Sequence, residues 1–233
     1  MDNWDFQQWR ASLGALDPRA AALVGLASAE RISGCLGDER FGRHGSSGME
    51  VVRDLLGECW ATALAGEGSS SARIRELAGQ LADHSGDYLT LSLTELFHSY
   101  EPLAEEIDTE DDEDPDDGAP DLDEFLEEAE PEGAVMMHLD AMTAVSEAVA
   151  PWTGGSWDGA LRCLQITAIA ASQHDPGLAG PGVEVRRQRE DLMLVQAAGG
   201  TELSRLAADL RVRAEADALG WKRVTEELNL LHN

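Results

Sequence analysis

Residues 46–66 read SSGMEVVRDLLGECWATALAG, and this stretch decides the fold class. Its apolar residues recur at steps of three and four, which places them on one face of a helix. The helix is predicted to begin at Ser46 or Ser47 and to end near Gly66. Its apolar stripe consists of Met49, Val52, Leu56, Cys59, Trp60 and Ala63.

The same kind of pattern extends toward the N-terminus. Asp17 can accept hydrogen bonds from free backbone amides, and Pro18 suits the first helical position, so a helix is predicted from there to Leu36, ending at Gly37. A short aromatic helix precedes it. This docking helix is predicted from Trp4, Phe6, Trp9 and Leu13.

Downstream of residue 66, helical signals continue almost to the end of the chain. Helices are predicted over 71–84 and from the capping box Ser92-Leu93-Thr94-Glu95. Further helices are predicted from Val135 to Val149, from Ser156 to Ala171, over 185–198 and from Leu203 to Ala214. The chain has 33 Ala and 30 Leu against 25 Val, Ile and Thr together, which disfavours strands. We therefore expect an all-α domain of seven to nine helices.

Charge is distributed very unevenly along this chain. The formal net charge is -28, from 45 acidic and 17 basic residues. No Lys or Arg lies between Arg75 and Arg162, whereas 25 Asp and Glu do, so the remaining 20 acids nearly balance the 17 bases. A chain this acidic has no general attraction for nucleic-acid phosphates or anionic lipid. Direct nucleic-acid binding and membrane binding are thus not expected.

The acidic charge is densest between Glu101 and Glu132, where 18 of 32 residues are Asp or Glu. Such a block repels itself, so residues 108–132 are predicted to form a mobile acidic loop. It is interpreted as a solubilising linker or as a binding surface for a basic protein; a weak divalent-ion site is a third alternative, although the spacing fails the EF-hand pattern. The predicted partner-binding residues are Glu105, Glu106, Asp111, Asp112, Asp114, Asp116 and Asp117, with Leu122, Phe125 and Leu126 as apolar anchors.

Four further charged residues lie on otherwise apolar helical faces. Burial of such groups is costly unless they are paired. Glu30, Arg31, Asp140 and Glu147 are therefore predicted to form a structural ion-pair network between the second helix and the helix over 135–149.

Catalytic signatures are weak in this sequence. Glu95 and His98 have the Glu-x-x-His spacing of a di-iron bundle, but no second copy follows. A metal-dependent helical enzyme on Glu95, His98, His138 and Glu147 is kept as an alternative. We predict no catalytic residues, no bound metal and no cofactor.

The cysteines and the N-terminus indicate a cellular location. Cys35, Cys59 and Cys163 are odd in number and widely spaced, which fits small buried side chains in a reducing compartment. The acidic start of the chain does not resemble a secretory signal. We expect a cytoplasmic protein.

Five helical segments share a pattern of apolar positions with scattered polar residues: Ala27 to Arg31, the helix Met49 to Ala65, Leu139 to Ala141, Val145 to Glu147 and Leu206 to Arg211. In this order they resemble the bacterial YjaG-like family, the domain of unknown function 416 (DUF416). The resemblance implies an all-helical cytoplasmic bacterial protein with no established activity. The stretch Asp108 to Pro131 is longer and more acidic than that family's pattern, which singles it out as a feature of this protein.

Together these observations predict a single helical domain over 1–233. Its parts are a docking helix (1–16), a first helical half (17–107), the acidic loop (108–132), a second half (133–220) and a C-terminal tail (221–233). The predicted function is non-enzymatic binding and inhibition of a basic protein, such as a toxin or nuclease, in the manner of an immunity protein or antitoxin, or by mimicking the charge of nucleic acid. A YjaG-like housekeeping protein is the other alternative, and a homodimer is left open.

Overall fold

Helix α2 lies at the centre of the molecule, with other helices arranged around it. In the computed structural model, which describes residues 5–37, 39–65, 72–107, 133–174, 180–198 and 202–231, α2 spans Pro18–Ile32. Twelve of its 15 residues are buried. A helix enclosed on all sides is typical of a core position.

The described residues form eight α-helices and two short 3-10 helices, with no strand among them. The α-helices are α1 Phe6–Gly14, α2 Pro18–Ile32, α3 Glu39–Ala65, α4 Ala72–Ile107, α5 Gly133–Val149, α6 Asp158–His174, α7 Gly180–Ala198 and α8 Leu203–Leu231. The 3-10 helices are Ser33–Gly37 and Ala150–Thr153. The predicted all-α fold with seven to nine helices is confirmed.

The start of α2 follows the local chemistry of its first residues. Asp17 Oδ1 accepts a hydrogen bond from the backbone N–H of Arg19 at 3.0 Å, and Pro18 occupies the first turn. Arg19 also donates to the carbonyl oxygen of Ala63 at 2.8 Å, where α3 ends. Residues 17–19 thereby start α2 and also provide a hydrogen-bond donor to a carbonyl near the end of α3.

Four helices cover α2 directly: α5, α6, α7 and α8. Helices α3 and α4 form a hairpin that packs beside α5 and α8, and α1 lies against α6 and α2. The three cysteines are buried and free, as expected for small core side chains. Trp60 and Tyr88 are the largest fully buried side chains.

Helix α4 differs from the sequence prediction because it is continuous. The predicted gap after residue 84 and the capping box at Ser92 do not occur, since α4 runs unbroken from Ala72 to Ile107. Thr94 instead donates to the carbonyl of Thr90 at 2.8 Å, as a residue inside a helix does. No proline interrupts residues 72–101, and the buried side chains Leu81 and Tyr88 hold the two parts in one helix.

Three other boundaries differ from prediction. Helix α3 begins at Glu39, ahead of the predicted start at Ser46 or Ser47, and α7 begins at Gly180, inside the predicted loop. Residues 221–231 continue α8 and are no tail, because Trp221 and Val224 are buried in the core. Residues 108–132, 175–179 and 199–201 lie outside the described residues, so the predicted acidic loop and the predicted kink at 199–200 are not described. No helix in the described segments combines the length and apolar character required to cross a bilayer.

Candidate functional site

The outer side of the α3–α4 hairpin carries exposed carboxylates in two rows. Residues of the α3 row are four apart, and residues of the α4 row are seven and four apart. Both spacings place side chains on one side of a helix. Like charges at this spacing destabilise a helix, so folding alone does not favour them. These residues, here called the acidic face, are Glu50, Asp54, Glu58, Glu76, Asp83 and Asp87.

Little of this charge is neutralised. Arg73 lies 3.1 Å from Glu76 and 3.8 Å from Asp54, and these carboxylates are 57% and 60% exposed. Within the described part of the chain, no base forms an ion pair with the other four members of the acidic face. Exposed pairs of this kind contribute little to stability. Arg53 and Arg75 are also exposed on these helices, so over the described residues 50–65 and 72–87 six carboxylates stand against three arginines.

Helix α4 extends well past the helix that it packs against. Ser85 contacts Met142, and Tyr88 hydrogen-bonds His138, so α4 and α5 are antiparallel. This register brings Ser92 level with the start of α5. Fifteen more residues of α4 follow, which corresponds to about 22 Å of helix. The acidic segment 108–132 is therefore attached to the end of an extended helical arm.

The structure locates a few of the predicted partner-binding residues. Glu105 and Glu106 belong to the last two turns of α4. Asp111, Asp112, Asp114, Asp116, Asp117, Leu122, Phe125 and Leu126 lie outside the described residues. The acidic face was not predicted as part of the site, although its four-residue spacing along the α3 stripe is readable in the sequence.

A second cluster of polar groups is fully enclosed between α2 and α7. Arg31 donates to Glu184 at 2.9 Å and to Asp191 at 2.6 Å, and all three side chains are at most 3% exposed. Burial acts to lower the pKa of Arg31, but the two carboxylates outweigh it and raise that pKa. Burial raises the pKa of Asp191, and the positive charge of Arg31 acts in the opposite direction. Together these three side chains hold α7 in one register on α2.

Neutral side chains complete this buried network. Ser28 Oγ lies 2.8 Å from Thr167 Oγ1, and Gln188 Nε2 donates to the same hydroxyl oxygen at 2.8 Å and to the carbonyl of Leu164 at 3.0 Å. Ser28 also donates to Glu184 at 3.1 Å. Each buried group thus has a partner, which is the condition under which polar burial is tolerated. Because these groups face one another and not solvent, the network joins α2, α6 and α7.

Four residues continue the network to the surface between α7 and α8. Arg213 donates to Glu190 at 2.8 Å and lies 3.7 Å from Asp191. Arg187 pairs with Glu190 at 2.9 Å and with Asp217 at 3.1 Å. The bridging carboxylate Glu190 has its pKa lowered, chiefly by its hydrogen bond from Arg187.

The predicted ion-pair network among Glu30, Arg31, Asp140 and Glu147 is wrong in its partners. Glu30 accepts from Trp60 Nε1 at 2.8 Å, and Glu147 pairs with Arg162 of α6 at 2.7 Å. Burial raises the pKa of Asp140 to about 6. Arg31 is buried and paired, but with α7 instead of α5. Local spacing identified a polar group on an apolar face, whereas the identity of its partner depends on which helix packs there.

The residues of the predicted metal site do not converge where they are described. His138 Nδ1 shares a short hydrogen bond with the Tyr88 hydroxyl in the core. Glu147 is nine residues further along α5, about 13 Å away, and pairs with Arg162. No group of three or more His, Cys, Asp or Glu among the described residues is placed to hold a metal ion. The side chains of Glu95 and His98 lie outside this description.

Comparison with known proteins returned no match: no family model, no curated protein and no solved structure is similar to this chain. The similarity to the YjaG-like family therefore stays a prediction.

Proposed function

We propose that this chain is a non-enzymatic acidic interaction protein that binds a basic protein partner and inhibits it. The observation that carries the proposal is the segregation of charge: 25 acidic residues and no Lys or Arg between Arg75 and Arg162. A solubilising role needs only a net charge and would be served equally well by scattered carboxylates. Concentration into one third of the chain is what recognition of a cationic surface requires.

The acidic face supports this proposal. Its exposed carboxylates lie on the same hairpin as α4, which leads into the segment 108–132. Fields of one sign raise the rate at which an oppositely charged protein is encountered, by roughly ten- to a thousandfold at low salt. Inhibition would follow from steric and electrostatic cover of the partner's positively charged site.

Charge alone does not give a long-lived complex, because it changes association rates more than dissociation rates. Apolar anchors are needed for residence time. Leu122, Phe125 and Leu126 are the large apolar residues within the acidic segment 108–132, and we assign them this role. We place the interaction in the cytoplasm, in keeping with three free cysteines.

The test compares variants of the full chain in affinity capture from a lysate of the source cell, with mass-spectrometric identification of captured proteins. The full chain is expected to retain one basic protein reproducibly, and deletion of 108–120 is expected to slow its association steeply at low salt. Capture of the same protein at an unchanged rate by the deletion variant would contradict the proposal.

A matched pair of triple variants separates position from total charge. Glu50→Gln/Asp54→Asn/Glu58→Gln removes three carboxylates of the acidic face, and Glu202→Gln/Glu215→Gln/Glu226→Gln removes three exposed ones elsewhere. Both change the net charge from -28 to -25. Slower association is expected for the first variant, with little change for the second. Equal effects would mean that only the total charge matters.

A further inference from the structure

The outward side of α8 carries apolar residues that nothing in the described chain covers. Val212 is 67% exposed and Leu219 is 61% exposed, although both side chains are large and apolar. Ala208 and Ala216 continue the same line at four-residue steps and are also exposed. The other side of α8 packs on the core through Leu210, Ala214 and Trp221. Helix α8 therefore has two apolar faces, one buried and one open.

Charged residues frame this open face in a symmetrical order. Asp209 lies seven residues before Ala216, and Arg223 lies seven residues after it. Arg205 lies eleven residues before Ala216, and Glu227 lies eleven residues after it. Each of these four charged residues thus has a residue of opposite charge at the same sequence distance on the other side of Ala216.

These four charged side chains are exposed, and the structure gives none of them an ion pair with another described residue. Their neighbours behave differently. Arg211 pairs with Glu215 at 2.8 Å, and Lys222 pairs with Glu226 at 3.6 Å, both within α8. The charges left without a partner in this helix are those that share the outward face with Val212.

We propose that this face binds a second copy of the chain, with the two α8 helices antiparallel across a two-fold axis at Ala216. In that register Arg205 faces Glu227 of the partner subunit, and Asp209 faces Arg223 of the partner subunit. Val212 meets the partner subunit's Gly220 and Leu219. A two-fold contact requires such self-complementarity, because when one residue contacts a second residue of the partner subunit, the same contact occurs in reverse on the other side of the axis.

Two features suit a close approach at the axis. Ala216 is small, and a Cβ at Gly220 would meet no atom of this chain within 4 Å, which leaves room for the partner subunit's Val212. The surface charge of this region also permits self-association. Between 180 and 231 there are eight bases and nine acids, of which Glu184 and Asp191 are buried, so this surface is not anionic.

Sedimentation analysis of the full chain over a range of concentrations tests the proposal. The chain is expected to form a dimer, and Val212→Glu is expected to weaken dimerisation at least tenfold by placing a carboxylate against the partner subunit's Leu219. The control Ile169→Glu alters a residue on α6 that is 44% exposed and outside this face, and should leave dimerisation unchanged. Circular dichroism verifies that both variants stay folded.

Charge reversal gives a readout that general destabilisation cannot imitate. Asp209→Arg and Arg223→Asp should each weaken the dimer, because each places like charges opposite one another. The double variant restores opposite charges and should recover most of the affinity. A chain that stays monomeric at all concentrations, a dimer that survives Val212→Glu, or a double variant without recovery would overturn the proposal.

Variants confined to one surface distinguish this contact from the proposed basic partner. Val212→Glu lies outside the acidic face and should weaken the dimer without slowing association with a basic partner. Glu50→Gln/Asp54→Asn/Glu58→Gln should slow that association and leave the dimer unchanged. Failure of one proposal therefore leaves the other standing.

Discussion

Arg31 is a charged side chain in the most deeply buried helix of the molecule. Its guanidinium joins Glu184 and Asp191 across the α2–α7 contact, where three hydrogen-bonding neutral side chains also meet. A buried ion pair adds little net stability by itself, but loss of one member leaves an uncompensated charge. We therefore expect the network to fix the position of α7 on α2 more than to add net stability.

Substitution Arg31→Met should reduce the free energy of unfolding by about 3–5 kcal/mol, because two carboxylates would remain buried without a cation. Urea denaturation monitored by circular dichroism measures this. Arg211→Met is the matched control: its ion pair with Glu215 is 37% and 47% exposed, so a loss below about 0.5 kcal/mol is expected.

If Arg31→Met does not fold, a triple variant keeps the prediction testable. Arg31→Met/Glu184→Gln/Asp191→Asn contains no unpaired charge and should recover part of the lost stability. Equal stability of Arg31→Met and the wild type would show that the buried pair has no such role.

Asp140 predicts a local pH effect. Burial raises its pKa to about 6, against about 3.9 in an unfolded chain. Between these values the folded state binds a proton that the unfolded state has lost, so this group lowers stability as the pH rises through the window from about 4 to 6. The loss is complete above about pH 6 and absent below about pH 4.

Asp140→Asn should remove that loss and raise the free energy of unfolding at pH 7.5 by about 1 kcal/mol, since partial solvent exposure reduces the full effect of a shift of this size. At pH 4 the two proteins should be equally stable. The control is Glu147→Gln, which lies on the same helix as Asp140 and removes the ion pair with Arg162 of α6; it should not stabilise the protein at pH 7.5. A difference between wild type and Asp140→Asn that is independent of pH would exclude this account.

At the scale of single residues, the sequence was informative about which groups are unusual and uninformative about their contacts. Arg31 stood out because it follows a run of small apolar residues. Glu184, Gln188 and Asp191 share one face of α7 at steps of four and three, but an exposed polar face has the same spacing. Only the packing of α7 on α2 decides that this face is buried.

Helix α4 shows that one glycine does not by itself end a helix. Gly86 lies in the predicted gap, yet the helix continues through it to Ile107. Glycine weakens a helix by about 1 kcal/mol relative to alanine, which packing of Leu81 and Tyr88 can offset. Gly25 in α2 has a different reason, because a Cβ there would lie 2.8 Å from Ala160 of α6.

These two glycines give a matched pair of predictions. Gly86→Ala should raise the free energy of unfolding by about 0.5–1 kcal/mol, since a Cβ there meets nothing within 4 Å. Gly25→Ala should lower it by about 1–3 kcal/mol, because α2 and α6 would have to separate. Thermal and urea denaturation of both variants measure this. Destabilisation by Gly86→Ala would indicate that α4 does bend at this point.

A helix start that depends on a side-chain cap can be predicted from the sequence. Whether a helix continues through a weak position cannot. The cap at Asp17 follows from local hydrogen bonding and occurs, whereas α2 ends at Ile32 and only the 3-10 helix Ser33–Gly37 continues to the predicted stop at Gly37. The motif at Ser92 has the same local chemistry, but it lies where α4 packs on α5, and tertiary contacts keep the helix intact. The C-terminal part of α8 was missed because Trp221 and Val224 are too few to form a visible apolar period.

For the whole molecule, the described residues present two exposed surfaces of different character. The α3–α4 hairpin presents six carboxylates, of which only Asp54 and Glu76 form an ion pair with a described base, whereas the outer face of α8 presents apolar side chains with balanced charges. The proposed partner would approach the first surface, and a second copy the other. Variants confined to one surface make this division measurable, because each should affect one interaction and not the other.

The all-helical class and the uneven charge were predictable because composition and periodicity are local properties. The α8 face was not, since the exposed residues Val212 and Leu219 alternate with buried ones and resemble an ordinary core helix in sequence. Exposure is a property of the assembled fold. The α4 arm was hidden for the same reason, because its length depends on where α5 begins.

The enclosure of α2 also has a consequence for biosynthesis. Residues 18–32 leave the ribosome before the helices that cover them, and one of these, α8, ends about 200 residues further along the chain. At about 5–20 residues per second, the apolar surface of α2 stays uncovered by α8 for roughly 10–40 seconds. During that interval the exposed apolar helix is a binding site for chaperones, and it is covered once α8 packs onto it.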